Sequence, residues 1–139
     1  MFLLDTNVVS ELRKARSGKA DRQVTAWAAG VAPASLFLSV ITILELETGV
    51  LLVARRDPTQ GALLRDWLDN QVQPAFAGRV LAIDIAVAQC CAKLHVPDPR
   101  AERDALIAAT ALVHGLTVVT RNIIDFEPTG ARILNPWNP

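Results

Sequence analysis

Four acids, Asp5, Glu45, Asp104 and Asp125, stand at places where an α/β fold would use them for chemistry. Asp5 ends the apolar opening Met1-Phe2-Leu3-Leu4, so it reads as a carboxylate delivered to the end of a first strand. Glu45 lies about one turn into a helical stretch that follows a second strand, and Asp125 follows a fourth strand in the loop Arg121 to Phe126. Asp104 precedes that fourth strand, in the first turn of a helix. There it shares a face with Ile107, Ala108 and Ala111, which directs it along an apolar stripe toward the sheet. The carboxyl edge of an open α/β sheet is where ligands gather. If the four meet there, they cannot all stay ionised at neutral pH, because each carboxylate raises the pKa of the others. A divalent cation resolves that conflict. Oxygen-only ligands without clustered His or Cys favour the hard ions Mg²⁺ or Mn²⁺ over zinc, and such centres serve phosphoryl chemistry.

The elements needed to position these acids follow from the pattern of the chain. Strands are expected at Met1 to Leu4, Leu36 to Val40, Arg79 to Ile83, Thr117 to Thr120 and Ala131 to Leu134. Helices are expected at Val8 to Lys14, Ala20 to Ala29, Thr42 to Arg56, Pro58 to Gln73, Ile85 to Val96 and Ala101 to His114. In the fourth of these, Leu63, Leu64, Trp67 and Leu68 recur at amphipathic spacing behind a proline suited to a first helical turn. Pro97 and Pro99 stop the fifth, and Gly115 suits a left-handed cap on the sixth. Alternating strands and helices predict an α/β fold, a three-layer α/β/α sandwich around a mostly parallel five-stranded sheet. A chain of 139 residues suits one domain, residues 1–139, with a core that needs no disulfide.

Composition narrows the class. Fourteen basic and fourteen acidic residues cancel, so net charge does not announce a nucleic-acid binder. The basic set is nonetheless 11 Arg to 3 Lys, which suits bidentate phosphate contacts and interfaces. Hydrophobic residues reach 51% and mean hydropathy is +0.29, an apolar excess that predicts a surface covered by another subunit or partner. The adjacent Cys90 and Cys91 are expected to be buried, reduced thiols. No stretch approaches the ~18 apolar residues of a membrane span, and no signal-peptide pattern precedes Asp5, so a cytoplasmic location is expected.

Taken together, Asp5-Thr6-Asn7 behind a short apolar strand, Ser39-Val40-Ile41-Thr42 leading to Glu45-Leu46, Asp104-Ala105-Leu106-Ile107-Ala108, and Thr120-Arg121-Asn122 before Asp125-Phe126 resemble PIN-domain proteins. More narrowly the chain resembles the virulence-associated protein C (VapC) toxins and the related fast-intracellular-trafficking protein B group, in order along almost its whole length. The resemblance implies a metal-dependent ribonuclease that is the toxin of a toxin–antitoxin pair, with Mg²⁺ or Mn²⁺ held by Asp5, Glu45, Asp104 and Asp125. It implies supporting polar roles for Asn7, Thr120 and Asn122. It also implies a small antitoxin partner, a homodimer, and contact with promoter DNA only through the antitoxin complex. A second reading is a non-catalytic PIN-fold subunit of such a DNA-binding complex.

Other features carry less. Arg121 stands nearest the acids and either contacts substrate phosphate or sits in a structural ion pair. Cys91 and His95 share a helical face, but two groups make no zinc site. Trp27 and Trp67 read as packing residues, and Trp137 as a tack for the tail. Asp84, after the third strand, fits the acceptor position of a receiver-type signalling domain, but the paired acids and C-terminal Lys of that class are missing. A haloacid-dehalogenase-like phosphatase would need Asp at position 7, where Asn stands.

Overall fold

The computed structural model describes residues 1–139. Its elements are β1 (Phe2–Leu4), α1 (Thr6–Arg13), α2 (Arg22–Ala29), β2 (Leu36–Ser39), α3 (Val40–Arg56), α4 (Pro58–Trp67), α5 (Gln73–Ala75), β3 (Val80–Leu81), α6 (Ile85–Leu94), α7 (Glu102–His114), β4 (Thr117–Val119), α8 (Ile123–Phe126) and β5 (Ile133–Leu134). The five strands form one sheet in the order β3-β2-β1-β4-β5, and every pairing is parallel. Register places Phe2 beside Leu36 and Leu3 beside both Phe37 and Val118.

This order sets the site. From β1 the chain steps to β2 and β3 on one side, then returns past β1 to build β4 and β5 on the other. The strand order therefore reverses between β1 and β4, and the crevice beyond their carboxyl ends is the binding position such sheets provide.

Both faces of the sheet are covered, which explains why its strands read as nearly continuous apolar runs. Successive residues alternate between faces. Leu4, Leu38 and Val119 pack with Val8, Val9, Leu46, Val50, Leu68 and Val72 on one side. Leu3 and Val118 pack with Ile41, Ile107, Ala108, Ala111, Leu116 and Phe126 on the other. Behind α7, Val87 and Cys91 of α6 meet Ala105 and Ala109. Helices α3 and α4 approach so closely at Gly61 that a Cβ there would lie 2.4 Å from the Cα and Cβ of Ala54. No helix is long and apolar enough to cross a membrane.

Helix starts are fixed by side-chain caps. Asp21 accepts from the N–H groups of Gln23 and Val24, Ser39 from Ile41, Asp57 from Gln60, and Asp84 from Val87. The elements differ from expectation at their ends. Helix α1 begins at Thr6, not Val8, because Asp5 caps it; Val40 starts α3 instead of ending β2; β3 shrinks to Val80–Leu81; and α6 stops at Leu94. The helix expected from Pro58 to Gln73 ends at Trp67 and runs on as a π-helical turn, Leu68–Val72, into α5. Pro74, in α5, has no N–H to donate to the preceding turn, so the regular hydrogen-bond ladder is interrupted where the π-helical turn stands. Asp125 lies in the short helix α8, where a loop was expected.

Candidate functional site

Asp5 is almost fully buried at the end of β1, and its backbone N–H still pairs with Val119 O of β4 at 2.9 Å. The same residue caps α1: Oδ1 accepts the Thr6 N–H at 2.8 Å. Oδ2 accepts the Thr120 hydroxyl at 2.7 Å and Asn7 Nδ2 at 3.3 Å. Thr120 in turn accepts the Asn122 N–H at 2.9 Å, and the Arg121 N–H reaches Asn7 Oδ1 at 3.4 Å. The end of β4 and the start of α1 are thus tied together through one carboxylate.

Glu45 joins from α3. Its Oε1 accepts the Thr6 hydroxyl at 2.7 Å, and its Oε2 lies 3.8 Å from Arg103 Nη1. Asp104 enters from the first turn of α7. Asp5, Asn7, Glu45, Asp104, Arg121 and Asn122 line one cavity of about 470 Å³ at the β1–β4 crevice. Asp125 is exposed on α8 and lines an adjoining hollow, which it shares with Asp104. Electrostatics links all four. Burial pushes the Asp5 carboxyl above its ordinary value against the Thr120 and Thr6 hydrogen bonds, and the charges of Glu45 and Asp125 push the same way. Burial also raises Asp104, with Asp5, Asp125 and Glu45 adding to it.

Other acids show the opposite sign. Glu47 is held below its ordinary value by a hydrogen bond from Arg65, whose Nη2 lies 2.8 Å away. Glu11 is lowered by the Asp21 N–H at 2.9 Å and by Lys14. Asp84 is an N-cap. These acids serve the fold, whereas the raised carboxyls at the crevice are costly to keep charged, which makes the crevice the candidate functional site.

The donor set at the crevice consists of carboxylates and hydroxyls with raised acids among them, which fits a hard divalent cation. Asp5 is held by Thr6, Thr120 and Asn7, and Glu45 by Thr6 and Arg103; no three of the four acids bring ligand atoms within 4.8 Å of one another. The set whose ligand atoms all lie within 4.8 Å is a different one, Cys91, His95 and Glu102. That trio does not suit a metal. His95 Nδ1 accepts the Arg100 N–H at 3.1 Å, so the neutral ring carries its proton on Nε2, the nitrogen that faces Glu102 Oε2 at 3.2 Å. Cys91 is buried and its thiol is raised by burial; Cys90 is only half-buried.

Several residues at the cavity were not among the expected site residues: Thr6, Ser10, Glu11 and Lys14 line it, Trp137, read from sequence as a tack for the tail, lines it too, and Arg103 borders Glu45. A signal for part of this set exists in α1. Asn7, Ser10, Glu11 and Lys14 recur at helical spacing, a polar stripe along one face.

The PIN-domain profile matches residues 2–127. This chain is a PIN domain. It is 40% identical to VapC ribonuclease Y4jK of Sinorhizobium fredii, with 100% of this chain and 99% of that one covered. It is 36% identical to toxin FitB of Neisseria gonorrhoeae, with 99% of each covered. Its fold matches the structure of FitAB bound to an IR36 DNA fragment with a TM-score of 0.89 at 33% identity, covering 100% of this chain and 97% of that one.

Proposed function

We propose that this PIN domain is a metal-dependent endoribonuclease and the toxin of a toxin–antitoxin pair. The observation that carries the reading is the crevice itself: Asp5, Glu45 and Asp104 face one polar cavity at the point where strand order reverses, with Asp125 beside it. The full-length similarity to a protein named a ribonuclease supports it.

In this reading Asp5, Glu45, Asp104 and Asp125 hold Mg²⁺ or Mn²⁺. When bound, such a cation supplies Lewis acidity to the scissile phosphate and to the attacking water. The chain's own residues do the rest. Thr120, Thr6 and Asn7 fix the Asp5 carboxylate, and Thr6 and Arg103 orient Glu45. Asn122, through its N–H to Thr120, braces that hydroxyl. Arg121 at the same cavity supplies donors for a phosphate of the RNA. An open cavity of this kind suits single-stranded or looped RNA whose nucleotides can be splayed into it.

The partner chemistry follows from the surface. Leu44, Leu51 and Leu52 of α3 and Leu63 of α4 are exposed, an apolar face suited to a second copy or to an antitoxin segment. The similarity to FitAB bound to DNA supports promoter contact through an antitoxin complex, and it also favours the second reading, a non-catalytic subunit of such a complex. Purified, antitoxin-free protein incubated with RNA, with and without Mg²⁺ or Mn²⁺, separates the two. Cation-dependent cleavage that Asp5→Asn and Asp104→Asn abolish is the expected result. Equal cleavage by the variants would sink the assigned site, and no cleavage of any RNA would favour the binding role.

A further inference from the structure

Arg121 lines a cavity with Asp5, Glu45 and Asp104, yet its guanidinium forms no ion pair with any carboxylate and donates no hydrogen bond. The other cations near acids do pair: Lys14 with Glu11, Arg65 with Glu47 and Asp69, Arg103 with Glu45. Arg121 lies instead over the indole of Trp137, with Cζ 5.1 Å from the ring centroid. Trp137 is the one apolar side chain lining that cavity. It packs against the core cluster that includes Val8 and Val9, and the backbone N–H of Trp137 donates to Asn135 Oδ1 at 3.0 Å, which fixes the tail. At an exposed position, cation–π stacking and an ion pair are of comparable strength. The indole can therefore decide which way the guanidinium points.

We propose that Trp137 is a positioning residue that holds Arg121 off the carboxylates, leaving its guanidinium donors for a substrate phosphate and the oxygens of Asp5, Glu45 and Asp104 for the cation. This rests on the nuclease reading of the cavity. Without the indole, Arg121 swings onto the acids. One motion then has two consequences: the phosphate contact is lost, and a fixed positive charge competes with the divalent ion.

The test uses the full chain and reads Mn²⁺ affinity by electron paramagnetic resonance, beside KM and kcat on an RNA oligonucleotide. Trp137→Leu is expected to bind Mn²⁺ more weakly by up to about fivefold, the scale of one intruding surface charge pair, and to raise KM more than it lowers kcat. Trp137→Phe, which keeps an aromatic face, is expected to fall between the two. Adding Arg121→Ala to Trp137→Leu restores Mn²⁺ affinity while KM stays high, a rescue that loss of tail packing would not produce. Should Trp137→Leu fail to fold, the comparison of Trp137→Phe with and without Arg121→Ala carries the same contrast. Unchanged Mn²⁺ affinity in the Trp137 variants, or no rescue in the double variant, overturns the proposal. A wild type that binds Mn²⁺ but cuts no RNA defeats the nuclease reading alone, and the Mn²⁺ rescue then still supports the hold-off of Arg121.

Discussion

Replacing Thr120 by Val keeps the shape of a fully buried side chain and removes one hydroxyl. That hydroxyl donates to Asp5 Oδ2 at 2.7 Å, the strongest of the contacts that oppose the burial of this carboxylate. Hydrogen bonds to charged groups are worth ~1.5–3 kcal/mol, so the expected loss is about 2 kcal/mol at neutral pH. At the per-residue unfolding entropy of globular proteins this lowers the melting temperature by roughly 7 °C. The loss is also pH-dependent, with a definite sign. Asp5 is raised above 3.8 in the fold, so its ionisation opposes folding; the penalty is absent below that value and accrues as pH rises through the folded pKa. Removing the hydroxyl raises the carboxyl further. The deficit of Thr120→Val is therefore smallest near pH 4, where a neutral hydrogen bond worth ~1 kcal/mol is lost, and grows toward pH 7. Urea unfolding in EDTA across that range measures it, with Thr120→Ser, which keeps the donor, as the control. A deficit that stays flat with pH, or one below roughly 0.5 kcal/mol at pH 7, would refute the account of Asp5 as a buried charge sustained by Thr120.

In EDTA, Asp104→Asn is expected to raise the melting temperature at pH 7, because it removes a carboxyl that burial makes costly to charge; a fall would contradict the raised pKa. Mn²⁺ at a hundredfold excess over its dissociation constant is expected to stabilise the wild type by ~2.7 kcal/mol, and calorimetry showing no shift would count against a shared metal site. For the same reason, the two raised acids take stability from the cation-free protein as pH rises, and the lowered Glu11 and Glu47 add it only up to about their unfolded value of 4.5, so a net fall is expected above pH ~5; a chemical-denaturation series with constant or rising stability there would reverse the sign. Gly61→Ala, despite a helix propensity gain of ~1 kcal/mol, is expected to destabilise because its Cβ would sit 2.4 Å from Ala54; equal or higher stability by thermal melt would mean that α3 and α4 separate freely.

Much of this molecule was legible in its sequence because period and position encode it. Five apolar runs became five parallel strands, and the helices between them lie where their caps and prolines put them. The ends were less legible, since they depend on single hydrogen bonds: Asp5 both closes β1 and caps α1, which moves the helix two residues forward. The π-helical turn before Pro74 was hidden because apolar spacing alone reads straight through it. At the site, the acids could be named but their partners could not. That Glu45 is held by Thr6, or that Arg121 stacks on Trp137, depends on which side chains meet across residues far apart in the chain.

The sequence separated Glu45 from Glu47 by helical face, and the structure adds a physical criterion for telling an acid that serves the fold from a candidate site acid. Glu47 and Glu45 stand two residues apart on α3, and nothing in their type separates them. One is lowered by a hydrogen bond from Arg65, so charging it helps the fold. The other faces the crevice with Asp5 and Asp104 and raises the pKa of both, so its charge works against theirs. A fold gains nothing from gathering acids around Asp5 and Asp104 whose charges oppose the ionisation of those two. An external positive charge entering among them would relieve that opposition, and the crevice between β1 and β4 leaves room for one.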